Sequence, residues 1–201
     1  MRVEMVVPAF LPAMGYGGPV TTVARLAEGV RTRGVDVHVT TTTLLDDHGG
    51  RLPEGPDTEA GVAVERLGIL AARGWGVIPR WRAPRGPVDL VHVFGVWDGL
   101  AQAAIRWAIA RRIPWIWETM GMLTLRGRSR VLKTLATPGN LALARTSRGL
   151  LLTAPQELAE APRPFRHVHH WLRPNPPAHA PEVGLPDARE ARRRLALPTD
   201  G

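Results

Sequence analysis

The 201-residue sequence contains no cysteine, which excludes disulfides, cysteine-ligated zinc and any thiol nucleophile. Lysine is almost absent as well: Lys133 is the only one, so the net charge of +8 rests almost wholly on arginine. Arg, Gly or Pro interrupts every apolar stretch before it reaches the roughly 20 residues that a membrane span needs. The first residues, 2–7, read as a strand and lack the charged, apolar and cleavage-site regions of a signal peptide. Cytoplasmic residence is therefore expected. Tyrosine and phenylalanine are scarce, at one and three, but seven tryptophans and a hydrophobic fraction of 44% supply a core, and the length suits one large domain or two small ones.

What is present is organised most clearly in residues 89–123, DLVHVFGVWDGLAQAAIRWAIARRIPWIWETMGML. A short β-branched and apolar run (89–94) is followed by Ala, Ile and Trp at helical spacing (100–111), then by Pro114 and a second apolar run (115–117). This is one parallel β-α-β unit. His92, Trp97, Asp98, Glu118 and Gly121 are expected in its loops, and in open parallel sheets ligands bind in the crevice outside the carboxyl ends of the strands. A continuously apolar strand implies helices on both faces of the sheet.

Upstream, strand 2–7 leads into a loop with Gly15, Gly17 and Gly18, and Pro19 opens a helix to about Arg33 that Gly34 stops. Residues 36–43 and 62–67 read as strands, 46–57 as turns, and 74–87 as an irregular basic connection carrying Trp75 and Trp81. Downstream come a basic segment at 126–133, a helix at 141–147, a strand at 149–153, and a helix from Gln156 that Pro162 and Pro164 stop. Residues 173–186 form a proline-rich linker, followed by an arginine-rich helix at 187–197. Strand-helix alternation predicts an α/β, Rossmann-like, doubly wound parallel sheet over residues 1–172.

The glycine loop can bring backbone amides and a positive helix end to a phosphate. It is not the dinucleotide fingerprint, since Val20 replaces the third glycine, and no P-loop occurs. His92 at a strand end is either a hydrogen-bonded rim histidine or a site residue. Trp107 and Ile109 are read as core, and Trp115 with Trp117 as lining the sheet. His167, His169 and His170 have some metal-ligand character, but nothing at matching spacing completes a site, and no metal is expected. Arginine suits phosphate whatever the source of its abundance. The cluster Arg189, Arg192, Arg193 and Arg194 lacks interleaved aromatics and reads as a solvated helix face rather than a nucleic-acid site.

GYGGPVTTVARLAEGVRTRGVDVHVTTT at 15–42, DLVHVFGVW at 89–97, ETMGML at 118–123, PNPP at 174–177 and ARRRLALPTDG at 191–201 together resemble the N-terminal domain of a glycosyltransferase family 4 enzyme of GT-B fold. The resemblance implies sugar transfer from a nucleotide-sugar donor to a saccharide or lipid-linked acceptor, with retention and without metal or other cofactor, in bacterial polysaccharide or glycolipid synthesis. The lack of a DxD motif agrees with it. In such a domain the loop of Gly15, Gly17 and Gly18 faces the donor phosphates and sugar, while His92, Trp97, Asp98, Glu118, Met120 and Gly121 belong to the acceptor cleft. Lipid-linked acceptors also imply peripheral contact with the anionic inner face of a membrane, through residues 73–85 and 126–133.

Two departures from the family stand out. Met120 occupies the place of the family's donor-positioning histidine. The donor-binding domain is also expected beyond residue 201, as a separately encoded half or a missing one, with 173–201 leading towards it. Glu182 and Glu190 match the E-x7-E pair of that domain literally, but Pro186 between them removes them from any strand end. The resemblance thus predicts a half-enzyme, inactive alone; the alternative is a non-catalytic domain of the same fold that binds a nucleotide or a partner protein.

Overall fold

The computed structural model describes residues 1–46, 48–73, 76–125 and 130–174. Trp75, Arg126, Arg128, the linker beyond Pro174, the Glu182/Glu190 pair and the arginine-rich helix lie outside the described residues. An eight-stranded sheet organises the chain: β1 (Arg2–Val6), β2 (Asp36–Thr42), β3 (Gly55–Glu59), β4 (Val62–Leu67), β7 (Leu90–Phe94), β8 (Trp115–Glu118), β9 (Leu150–Leu152) and β10 (His170–Leu172). Its order is β10-β9-β8-β7-β1-β2-β4-β3, and every pairing is parallel except β3 with β4. A separate antiparallel hairpin, β5 (Ile69–Arg73) with β6 (Gly76–Pro79), follows β4.

The two sheet faces follow from alternation along the strands. Val3, Met5, Val37, Val39, Val62, Val64 and Phe94 pack against Val23 and Ala27 of α1 (Gly18–Arg31). On the opposite face Val6, Val91, Val93, Trp115, Trp117, Leu150 and Leu152 meet Leu100, Ala104, Ile105 and Ala108 of α2 (Gly99–Arg111). Leu141, Leu143 and Ala144 of α3 (Arg130–Ala144) and Leu158 of α4 (Pro155–Glu160) join that second core. With α1 on one face and α2 to α4 on the other, this is the expected doubly wound α/β sheet. Each fully buried large side chain contributes about 1.5–3 kcal/mol, so fully buried Trp117, Leu100 and Leu150 are among the principal anchors.

Several local expectations are corrected. The stretch 74–87 was expected to be irregular, but β6 forms there. Residues 46–57 contain the start of β3, whose Gly, Pro and Asp resemble a turn but serve an exposed edge strand. Helix α3 starts at Arg130 and runs through Pro138 rather than beginning at Leu141; Pro138 lies on the exposed side, and packing of buried Asn140 and Ala144 outweighs the local break. Ile109 is 38% exposed rather than core, because it lies on the solvent side of α2. No helix among the described residues is long and apolar enough to cross a membrane.

Candidate functional site

The chain builds outward in both directions from the sheet centre: β1 leads to β2 and β4 on one side, β7 to β8, β9 and β10 on the other. Between β1 and β7 the loops diverge, which opens a crevice at the carboxyl ends. A cavity of about 360 Å³ occupies this place. Val7, Pro8 and Ala9 after β1, Tyr16, Pro19 and Val20 at the start of α1, and Leu44 after β2 form one side of it. Gly76 and Val77 of β6, Phe94, Gly95, Trp97 and Asp98 after β7, and Met120 and Met122 after β8 form the other.

Asp98 does two things here. Its Oδ1 accepts the Ala101 N–H at 2.7 Å and caps α2, and the residue is part of the cavity lining. The β5–β6 hairpin lies against it. A Cβ on Gly76 would stand 2.8 Å from the Asp98 Cβ, and one on Gly99 would stand 2.8 Å from the Val77 carbonyl oxygen, so the hairpin reaches the start of α2 only because both residues are glycine. The resulting burial raises the Asp98 pKa from 3.8 to about 6, against the opposing pull of the helix-end N–H groups.

Trp97 donates its indole N–H to the Met122 carbonyl at 2.6 Å, and the Lys133 ammonium stands 5.6 Å from its ring centroid. The loops after β7 and β8 are thereby tied together. Met120 has φ 52 and Gly121 φ 78. A methionine in the left-handed region is held there by its surroundings: Met120 packs against the α1-side core and borders the cavity.

His92 and Glu118 do not sit in loops, which corrects the expectation. Both are buried strand residues absent from the cavity lining. Parallel register places Phe94 beside Glu118, and His92, two residues before Phe94, shares their face. Its Nε2 lies 3.0 Å from Glu118 Oε2, close but poorly aligned for a hydrogen bond. Its ring stacks on Phe94 with centroids 4.1 Å apart. Arg173, just past β10, pairs with the other Glu118 oxygen. Burial lowers the His92 pKa, opposed by Glu118. The group supports the cavity wall from beneath, through Phe94.

The glycine loop divides by role. Gly15 packs on Asp46, with Asp46 Cα 3.8 Å from where its Cβ would be, and Tyr16 donates its hydroxyl to the Asp46 carbonyl at 2.9 Å. Gly17, φ 70, is the N-cap of α1, and among the described residues outside the helix's own backbone and the adjoining positions neither it nor Gly18 has an atom within 4 Å of a would-be Cβ. The left-handed position is Gly17 rather than Gly18.

Sequence reasoning missed Glu157 and Arg173. Glu157 of α4 is buried and accepts hydrogen bonds from the Thr119 hydroxyl, the Thr153 amide and the Leu123 amide, fixing the loop that carries Met120 and Met122. Its acidic place in the first turn of α4 was the available signal. Among the described residues no group of three His, Cys, Asp or Glu could hold a metal. His169 packs edge-on against Trp171, and His170 Nδ1 contacts the Val168 carbonyl at 3.0 Å.

A doubly wound α/β domain with a cavity at its topological switch is a domain of Rossmann-like type. More particularly, the chain belongs to the glycosyl transferase 4-like domain family, whose sequence profile matches residues 17–175. Among solved structures it is similar to MurG of Acinetobacter baumannii, at 18% identity and a TM-score of 0.47 over 88% of this chain and 46% of that one. The chain thus spans about half the length of that protein. No curated protein matches it.

Proposed function

We propose that this domain is the acceptor-binding, N-terminal half of a retaining glycosyltransferase that moves a sugar from a nucleotide-sugar to its acceptor. The observation that carries this reading is the cavity between the ends of β1 and β7, in a chain of the glycosyl transferase 4-like family. In this reading Trp97, Asp98 and Met120 contact the acceptor, while Gly17 and Gly18, with open space beside them at the amino end of α1, face the donor diphosphate. His92, Glu118 and Arg173 hold the wall. The donor's nucleotide is bound by a second Rossmann-like domain, outside the described residues. The exposed basic and apolar face of α3 rests on an anionic membrane.

Turnover is the test. The 201-residue chain alone should not release nucleotide from any nucleotide-sugar, because misplacing the donor forfeits the proximity advantage; activity should appear when the segment encoded downstream is supplied. Sustained turnover by the chain alone refutes the half-enzyme reading. In the complete enzyme Gly18→Val should lower kcat by at least about 100-fold while thermal stability is kept, since no protein atom is crowded there. Near-normal rates would show the loop to be a plain turn.

A further inference from the structure

The cavity's walls carry a second message, about which acceptor they take. Among the described residues fifteen line it, and the only one of these whose side chain bears a formal charge is Asp98. Two others are polar, but the Tyr16 hydroxyl donates to Asp46 and the Trp97 N–H to Met122, so both donors are spent on the protein. Asp98 Oδ1 caps α2, and its Oδ2 lies on the Gly95 side, 3.1 Å from where a Gly95 Cβ would be; both residues line the cavity. A carboxylate oxygen has room for more than one donor.

A saccharide carries a hydroxyl on nearly every carbon, and each one desolvated without a partner is penalised. A phosphate without a second binding wall is best held by cationic side chains, and among the described residues lining this cavity there is neither Lys nor Arg. The lining suits an apolar body with one hydroxyl. Resting on the acceptor reading above, we infer that the acceptor is a neutral, hydroxyl-bearing apolar small molecule, whose ring or hydrocarbon part fills the space between Val20, Val77, Phe94 and Met120 and whose hydroxyl donates to Asp98. The same contact places an acceptor oxygen beside the carboxylate while leaving the glycine loop to the donor.

Binding of small probes to the purified chain tests this apart from turnover. 4-Butylphenol, its methyl ether 4-butylanisole, maltose and butyl phosphate are titrated, with tryptophan fluorescence and saturation-transfer NMR as readouts. 4-Butylphenol should bind saturably, the ether about tenfold more weakly for want of a donated hydrogen bond, and maltose and butyl phosphate not at all. Met122→Trp, which narrows the mouth from a partly exposed position, should abolish phenol binding with the fold intact. Asp98→Asn, which keeps a capping oxygen, should shrink the phenol-over-ether preference. Saturable maltose or butyl phosphate binding that Met122→Trp removes, or phenol binding that ignores both substitutions, overturns the inference. Failure of the complete enzyme to transfer sugar, with probe binding intact, would sink the glycosyltransferase reading and leave the cavity's ligand class standing. Transfer to maltose but not to 4-butylphenol would do the reverse.

Discussion

Asp98 caps α2 with one oxygen, while the β5–β6 hairpin keeps water from the rest of the group. Its pKa is raised from 3.8 to about 6, so between those values the folded chain holds a proton that the unfolded chain releases. Stability contributed by this group is therefore greatest below pH 4 and is lost as pH rises through 6, a difference on the order of 3 kcal/mol. Asp98→Asn retains the cap but cannot ionise. Relative to the native chain it should gain stability at pH 7–8 and little at pH 4, read as the difference in urea midpoint at the two values; an Asn variant equally destabilised at both would show that the carboxylate is not strained by burial. The site was legible in sequence only in part. Trp97 and Asp98 were expected at the crevice as loop residues after a parallel strand, and both line the cavity; Met120, which lines it too, was reached only through the family resemblance. His92 and Glu118 were misplaced into loops because β7 runs two residues past His92 and β8 takes in Glu118 as its last residue. Arg173 could not be found, since its partner Glu118 is 55 residues away and only the sheet brings the two together.

At the scale of elements, the continuously apolar strands and the glycine- and proline-marked helix ends were readable, because local patterning and tertiary burial agree there. The hairpin β5–β6 and the edge strand β3 were not, because the one is fixed by docking against the start of α2 and the other by charge pairing to a single buried arginine of β4, neither of which shows as an alternating apolar pattern. Buried Arg66 lies 3.0 Å from Asp57 and 2.6 Å from Glu59, which turns a polar, turn-like segment into a strand. The hairpin is held where glycines let it close on α2, so it should be the element most sensitive to a single added side chain. Gly76 has φ +77, and its Cβ would meet Asp98 at 2.8 Å. Gly76→Val should cost about 1–3 kcal/mol and raise hydrogen exchange in β5, β6 and the first turn of α2. Gly18→Ala, in open space at a helix start, should be neutral or slightly stabilising. Equal effects from the two would refute the glycine-dependent docking.

For the whole molecule, the outward faces decide the proposed membrane contact. Trp81 does not supply an interfacial anchor: it packs inward, its ring centroid 6.3 Å from that of Trp107 on α2. Apolar surface is presented instead by α3, where Val131 and Leu135, one turn apart, are 71% and 72% exposed beside exposed Arg130. Side chains four apart share a helix face, so this pair forms a small apolar patch flanked by cationic charge. In sequence, Arg126 and Arg128 precede it. Each basic side chain near anionic lipid contributes about 1 kcal/mol, and two inserted aliphatic side chains add to it, enough for reversible, salt-sensitive attachment without a membrane span. Vesicles containing anionic lipid should therefore co-sediment the chain at low salt and release it at high salt, while neutral vesicles retain little. The double substitution Val131→Asp with Leu135→Asp should abolish the association and leave thermal stability unchanged, because both side chains already face solvent. Negligible binding to both vesicle types at low salt would end the membrane proposal, and binding that survives the double substitution would move it off α3.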